Sequence, residues 1–223
     1  MVTQRAGLLY FEGNTLMSRI VMVRHGETVW HAENRYAGRR DIALTSNGLE
    51  QAERLARWAL TEGDITSVWS STLSRARDTA FPAARALDLP LQVDERLVEL
   101  DFGQGEGLTS VEMLQKMPAA FTAFRADPVR NFLPEGEDPV AAVERAMIAL
   151  GAIAKSAGEP GRSLVVAHST LLRLVLCKML EIPLSHYRTV FPSFNNCSLT
   201  EVRLAPDGTA SLLMFNVPLS DNA

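Results

Sequence analysis

The chain has 223 residues, 47% of them apolar and 22% charged, which suffices for one well-filled core and matches an ordinary globular domain. Its net charge of −4 lacks the excess of Lys and Arg that nucleic acid or an anionic membrane requires, and no apolar run reaches the roughly 20 residues of a membrane-spanning helix. Cys177 and Cys197 have neither metal-ligand nor Cys-x-x-Cys spacing, so both are expected as reduced thiols of a cytoplasmic protein.

Residues 1–18 hold only Leu8-Leu9-Tyr10-Phe11 as an apolar stretch, too short for a signal peptide, and read as an N-terminal extension before a single domain at 19–223. Ile20-Val21-Met22-Val23 reads as a buried strand that stops abruptly at Arg24-His25-Gly26, a cation, an imidazole and a residue free to turn. Trp30 to Asp41 reads as a long polar loop. Thr45 then caps a helix with the stripe Leu49, Ala52, Leu55, Ala56, Ala59 and Leu60, stopped by Gly63-Asp64.

Ile65 to Ser70 is a second strand, and a second helix starts at Thr72 with Leu73, Ala76, Ala80, Ala83, Ala84 and Leu87 facing inward. Leu91 to Asp94 is a short third strand. This alternation predicts right-handed crossovers and an α/β fold with a mainly parallel sheet and helices on both faces. Glu95 to Gly136 has no strand signal and short helical pieces near Thr109–Met117 and Ala119–Ala126, so about residues 100–136 are expected to form a helical lid. Phe121, Phe124, Arg125, Arg130 and Phe132 are either lid packing or the wall of a leaving-group pocket. Gly103, Gly105 and Gly107 follow no strand and lack dinucleotide-fingerprint spacing. Asp138 to Ala157 reads as a packing helix. Ser163 to Ala167 reads as the cleanest buried strand of the chain and ends in His168, and Ser169 opens a helix through Leu180. Asn196–Leu204 and Ser211–Val217 flank Pro206-Asp207-Gly208 as a closing hairpin.

If the strands are parallel, their ends bring Arg24, His25, Ser70 to Arg75, Glu99 and His168 to one crevice, where open α/β sheets bind ligands. Guanidinium forks and helix-start N–H groups fit the oxygens of a phosphate. An imidazole kept neutral beside a cation can attack phosphorus. A single glutamate suits proton donation to the leaving oxygen, because an arriving dianion reverses the field of a cationic pocket.

The segments Arg24-His25-Gly26-Glu27-Thr28 with Trp30, Asn34, Gly38, Asp41 and Leu44-Thr45-x-x-Gly48, then Ser70-Ser71-x-Leu73-x-Arg75-Ala76, Arg96-Leu97-x-Glu99 with Gly103-x-x-Glu106-Gly107, and Val165-Val166-Ala167-His168 together resemble the histidine phosphatase superfamily. The resemblance, over about Arg19 to Leu204, implies a phosphoglycerate mutase-like three-layer αβα fold. It also implies His25 as the phosphorylated nucleophile, Arg24, Arg75 and His168 as phosphate ligands, and Glu99 as general acid and then base. Thr28, His31, Gly38 and Ser169 fall to substrate binding, and neither metal nor cofactor is implied. His31 stands where the family commonly has Asn, and Ser169 where it commonly has Gly. Glycolytic mutases resemble the chain but carry a longer insertion than the 36 residues between Glu99 and Gly136, so hydrolysis of a small phosphate ester, releasing inorganic phosphate, is favoured over a mutase. A non-catalytic phosphoryl-ligand binding module is the reading from another class. A homodimer is the family-level expectation.

Overall fold

The computed structural model describes residues 18–157, 161–205 and 208–219. Six strands, β1 (Ser18–Arg24), β2 (Ile65–Ser70), β3 (Leu91–Val93), β4 (Arg162–Ala167), β5 (Leu199–Leu204) and β6 (Ala210–Val217), make one sheet in the order β3-β2-β4-β1-β5-β6. β1, β4, β2 and β3 run parallel, and the β5–β6 hairpin adds antiparallel to β1. The helices are α1 (Val29–Glu33), α2 (Ser46–Glu62), α3 (Ser74–Ala86), α4 (Ser110–Lys116), α5 (Pro118–Ala126), α6 (Pro139–Ala157), α7 (Ser169–Met179) and α8 (Tyr187–Val190).

Strand side chains alternate between faces, and that alternation builds two cores. Val21, Val23, Leu164 and Val166 pack against Leu55, Ala59, Ala76, Ala80 and Ala83 of α2 and α3. Ile20, Met22, Val165 and Ala167 pack against α6 and α7 through Ala146, Leu150, Leu171 and Val175. Every residue of β4 is buried, as a strand covered on both faces must be. The result is the expected three-layer αβα fold. Among the described residues no helix is long and apolar enough to cross a membrane.

The expected N-terminal extension lies outside the described residues except for Ser18, which already belongs to β1 and donates to Ala154 O at 2.7 Å. Pro206 and Asp207 of the expected hairpin turn also lie outside them. The loop read from Trp30 to Asp41 begins instead with α1, whose N-terminus is closed by a capping box between Thr28 and His31. Leu49 and Leu60 leave the stripe of α2 and are exposed, with Gly48 and Trp58 turned inward. Gly48 takes that place because it meets Gly26 backbone to backbone: a Cβ on Gly26 would lie 2.6 Å from Gly48 O. α3 starts two residues later than the sequence suggested, since Asp41 Oδ1 accepts both the N–H (2.8 Å) and the hydroxyl (2.7 Å) of Ser74. In the segment expected as a lid, Phe121 and Phe124 stack at 6.2 Å and join the α6–α7 core, whereas Arg125, Arg130 and Phe132 are exposed. Phe121 and Phe124 therefore pack that segment.

Candidate active site

The register of the parallel strands sets the geometry. Arg24 pairs with Ala167 across β1 and β4, so the next residue of each strand, His25 and His168, emerges at the same edge with ring centroids 5.2 Å apart. Ser71 leaves β2 beside them and its hydroxyl lies 2.6 Å from His168 Nε2. A cavity of about 420 Å³ opens above this edge, lined by Arg24, His25, Thr28, His31, Gly38, Arg75, Glu99 and Ser169 from among the sequence-selected residues. His168 does not line it. It is fully buried behind His25, and its Nδ1 has no partner.

His25 Nδ1–H donates to Gly26 O at 2.7 Å, which leaves Nε2 as the acceptor, and Arg75 Nε–H donates to it at 3.2 Å. Burial, then the charges of Arg75, His168 and Arg24, hold the His25 pKa well below that of a free imidazole, so the ring is neutral. Thr79 ties the two side chains' backbones together: its hydroxyl accepts Gly26 N–H at 2.9 Å and donates to Arg75 O at 2.6 Å. Arg75 is itself fully buried, yet apart from His25 it holds only carbonyls, Arg40 O and Gly38 O, each at 2.7 Å. Gly38 can offer that carbonyl because it has φ of +53° and no Cβ to collide with Glu106, whose Oε1 accepts Arg39 N–H at 2.7 Å and fixes the loop.

Arg24 donates to Phe194 O at 2.7 Å and lies against His31 Nε2, while its Nε is buried without a partner. Burial, and after it the neighbouring Arg173 charge, pulls its pKa down to about 10. His31 closes the α1 capping box by accepting Thr28 N–H on Nδ1 at 2.8 Å. Its Nε2 lies against Arg24, so the ring is placed beside that arginine at the cavity wall. Burial and then Arg24 push its pKa to about 4.

Glu99 is held differently from the sequence picture. Its carboxylate accepts Leu100 N–H (2.8 Å), Leu171 N–H (2.9 Å) and Thr170 N–H (3.0 Å), so it caps α7 and occupies two of the helix-start donors that were read as free for an anion. The segment is pinned by Arg145 of α6, which donates to Arg96 O (2.6 Å), Val98 O (2.9 Å) and Glu99 O (3.2 Å). α6 therefore does more than pack.

Sequence reasoning missed Arg173, Arg188 and Asn196. Arg173 and Arg188 line the cavity, and Asn196 donates to His25 O at 2.7 Å. Arg173 had a legible signal, since it stands four residues after Ser169 and so on the same face of a helix that opens at the site. Among the described residues no group of three or more His, Cys, Asp or Glu is arranged to hold a metal ion.

Two histidines, the buried Arg75 and the half-buried Arg24 gather at the carboxyl edge of the parallel strands of an αβα sheet, an arrangement chemically suited to a phosphoryl group. The chain belongs to the histidine phosphatase superfamily (branch 1), whose family model matches residues 20–217. A metal-independent phosphoserine phosphatase of Arabidopsis thaliana is 34% identical, covering 74% of this chain and 70% of that protein. Phosphoglycerate mutase-like protein 4 of the same plant is 36% identical over 70% of this chain and 68% of its own length. A mycobacterial glucosyl-3-phosphoglycerate phosphatase, solved in complex with VO3, superposes with a TM-score of 0.79 at 28% identity, covering 89% of this chain and 99% of that one. The chain spans about half, 54%, of the length of the Mycobacterium proteins that it matches at 32% identity.

Proposed function

We propose that the chain hydrolyses a small phosphorylated metabolite through a phosphohistidine on His25 Nε2, without a metal ion. The observation that carries this reading is the tautomer assigned by the His25 Nδ1–Gly26 O hydrogen bond, which leaves the Nε2 lone pair directed to the cavity between Arg24 and Arg75. That lone pair accepts from Arg75. With an ester bound, the Arg75 N–H turns to a phosphoryl oxygen and frees it. Nε2 then attacks phosphorus, the P–N bond forms, the ester P–O bond breaks, and the leaving oxygen takes a proton. Glu99, the one carboxylate on the cavity wall, is the group placed to supply that proton and to take one from the attacking water in the second step. Water breaks the P–N bond, releasing inorganic phosphate and neutral His25. His168 supports the nucleophile from behind, its Nε2 held by Ser71.

The names of the phosphoserine and glucosyl-3-phosphoglycerate phosphatases among the similar proteins support hydrolysis, and the mutase-like relative supports the alternative in which a second hydroxyl replaces water. The test is phosphate release from a panel of phosphomonoesters in the presence of chelator, with His25→Ala as control. Release that survives the chelator and vanishes in the variant is expected. Undiminished release by His25→Ala overturns the mechanism, and isomerisation of 3-phosphoglycerate without release assigns a mutase. Glu99→Gln is expected to slow alkyl esters far more than nitrophenyl phosphate, whose leaving group needs little protonation. Because the amide also disturbs the cap of α7, the ratio between the two esters is the readout.

A further inference from the structure

Arg24 reaches the cavity with few holds on its guanidinium. Its Nε is buried without a partner, and its Nη1 donates to Phe194 O at 2.7 Å. His31 adds no acceptor, because its Nδ1 takes the Thr28 N–H, so the neutral ring carries its proton on Nε2 and meets Arg24 donor to donor. Among the described residues, the direction of this guanidinium therefore rests on one carbonyl.

That carbonyl belongs to the 193–198 loop between α8 and β5, which also grips the end of β1 at two further points. Cys197 N–H donates to Arg24 O at 2.9 Å, and Asn196 Nδ2 donates to His25 O at 2.7 Å. The loop is closed in turn from the edge strand. Asn216 of β6 accepts Asn195 N–H at 2.8 Å and the Ser198 hydroxyl at 2.6 Å on Oδ1, and its Nδ2 donates to Ser193 Oγ at 3.4 Å. A bulge turns it there: Leu199 pairs with Val217 and Glu201 with Met214, so Thr200 alone faces Phe215 and Asn216. Asn216 N–H then donates to Thr200 Oγ1 at 3.1 Å. Its φ of +53° is left-handed, as is that of Cys197 at +52°. Asn34, Asp88 and Glu181 share this region, but each stands at the C-terminal end of a helix, where it is an ordinary way to stop. Asn216 and Cys197 end no helix. Left-handed backbone held without that reason points to a functional constraint.

We propose that Asn216 is a positioning residue for Arg24: from the edge strand it sets the 193–198 loop, whose Phe194 carbonyl aims the guanidinium at the phosphoryl group. The inference rests on the assignment of the phosphoryl group to Arg24, His25 and Arg75. Asn216 itself does not line the cavity. The competing hold on the loop is apolar, since the Phe215 ring meets Phe191 at 5.0 Å and Phe194 at 5.7 Å. Those contacts seat the loop, but the directional bonds of Asn216 fix which way its amides and carbonyls face.

The experiment compares Asn216→Gly, Asn216→Asp, Arg24→Gln and the double variant Arg24→Gln/Asn216→Gly, by calorimetric binding of inorganic phosphate and by kcat/KM on a phosphomonoester. Glycine accepts the positive φ and removes only the side chain, whereas aspartate tolerates that φ and keeps the oxygen that Asn195 and Ser198 use. Asn216→Gly is expected to weaken phosphate binding and lower kcat/KM about tenfold, the factor of one or two hydrogen bonds, with its denaturant midpoint close to the parent's. Asn216→Asp restores most of both. In the Arg24→Gln background, Asn216→Gly changes neither quantity by more than about twofold, because the group it acts through is gone. Ser198→Ala, which strips one donor from Asn216 and leaves β6 intact, gives a smaller loss with the same dependence on Arg24, and it carries the test if the glycine variant does not fold. No loss in either variant means that the rings alone set the loop and overturns the proposal. A tenfold loss that persists without Arg24, or an aspartate variant no better than glycine, overturns it too. Turnover separates this inference from the one beneath it. Phosphate release that Asn216→Gly leaves undiminished removes the positioning role and keeps the hydrolase, whereas Arg24-dependent loss of phosphate binding in a parent that releases none removes the hydrolase and keeps the positioning role.

Discussion

Two arginines are buried at opposite ends of the same sheet, and the protein treats them in opposite ways. Arg162, at the start of β4, is met by Glu201 at 2.8 Å, Glu62 at 2.6 Å and Asp64 at 2.8 Å. Burial works against its charge, but these carboxylates prevail and its pKa is raised. Arg75, at the other end, has only two carbonyls and a neutral imidazole, and burial prevails over the more distant Glu99, Asp41 and Glu106 to lower its pKa. The fold can neutralise a buried guanidinium fully, as Arg162 shows. At the carboxyl edge of the strands it leaves the charge open, as the proposed phosphoryl site requires.

Substitution separates the two roles. Arg75→Gln is expected to lower kcat/KM for a phosphomonoester by about 10²–10³, the loss typical of one preorganised donor to a developing charge. Its melting temperature should move little, because no partner carboxylate is stranded. Arg162→Met should do the reverse. Glu201 keeps Arg19 at 2.5 Å, so the loss falls at the lower end for a broken buried pair, about 3 kcal/mol, seen as a lower melting temperature with kcat/KM of the folded fraction unaltered. Equal losses of activity in both variants would erase the distinction between a structural and a ligand-directed arginine.

This division was half visible in the sequence. His25, Arg75 and His168 stand at the ends of apolar strands or the start of a helix, and that punctuation survives any uncertainty in packing. The succession of strands and helices from Ile20 to Asp94 likewise predicted the layers. Glu99 was found, but its role as the cap of α7 was not, since Thr170 and Leu171 lie 71 and 72 residues away and no local pattern links them. Arg188 comes from a four-residue helix with no periodicity to place it, and Arg145 was hidden in a helix whose apolar stripe explained it too well. Position along a strand is written locally. Which cation meets which carboxylate is decided by long-range packing.

The smallest expected effect is the one that pH draws from the open end. His25, His168 and His31 all have folded pKa values below that of a free imidazole, the first two well below and His31 at about 4, each chiefly through burial. Below about pH 6.5 the unfolded chain takes up protons on these rings while the folded chain does not, so the unfolded state binds more protons. Stability is therefore fully present above that pH and is lost as pH falls towards the folded values. One histidine contributes a slope of about 1.4 kcal/mol per pH unit. Denaturant unfolding of the parent and of His25→Ala between pH 7 and 5.5 measures it by difference, which cancels every other titrating group. The variant is expected to lose less stability than the parent over that interval, by about that slope. Identical pH dependence in the two would mean that His25 takes up its proton in the folded state as readily as in the unfolded one, and would remove the neutral imidazole on which the proposed nucleophilic attack depends.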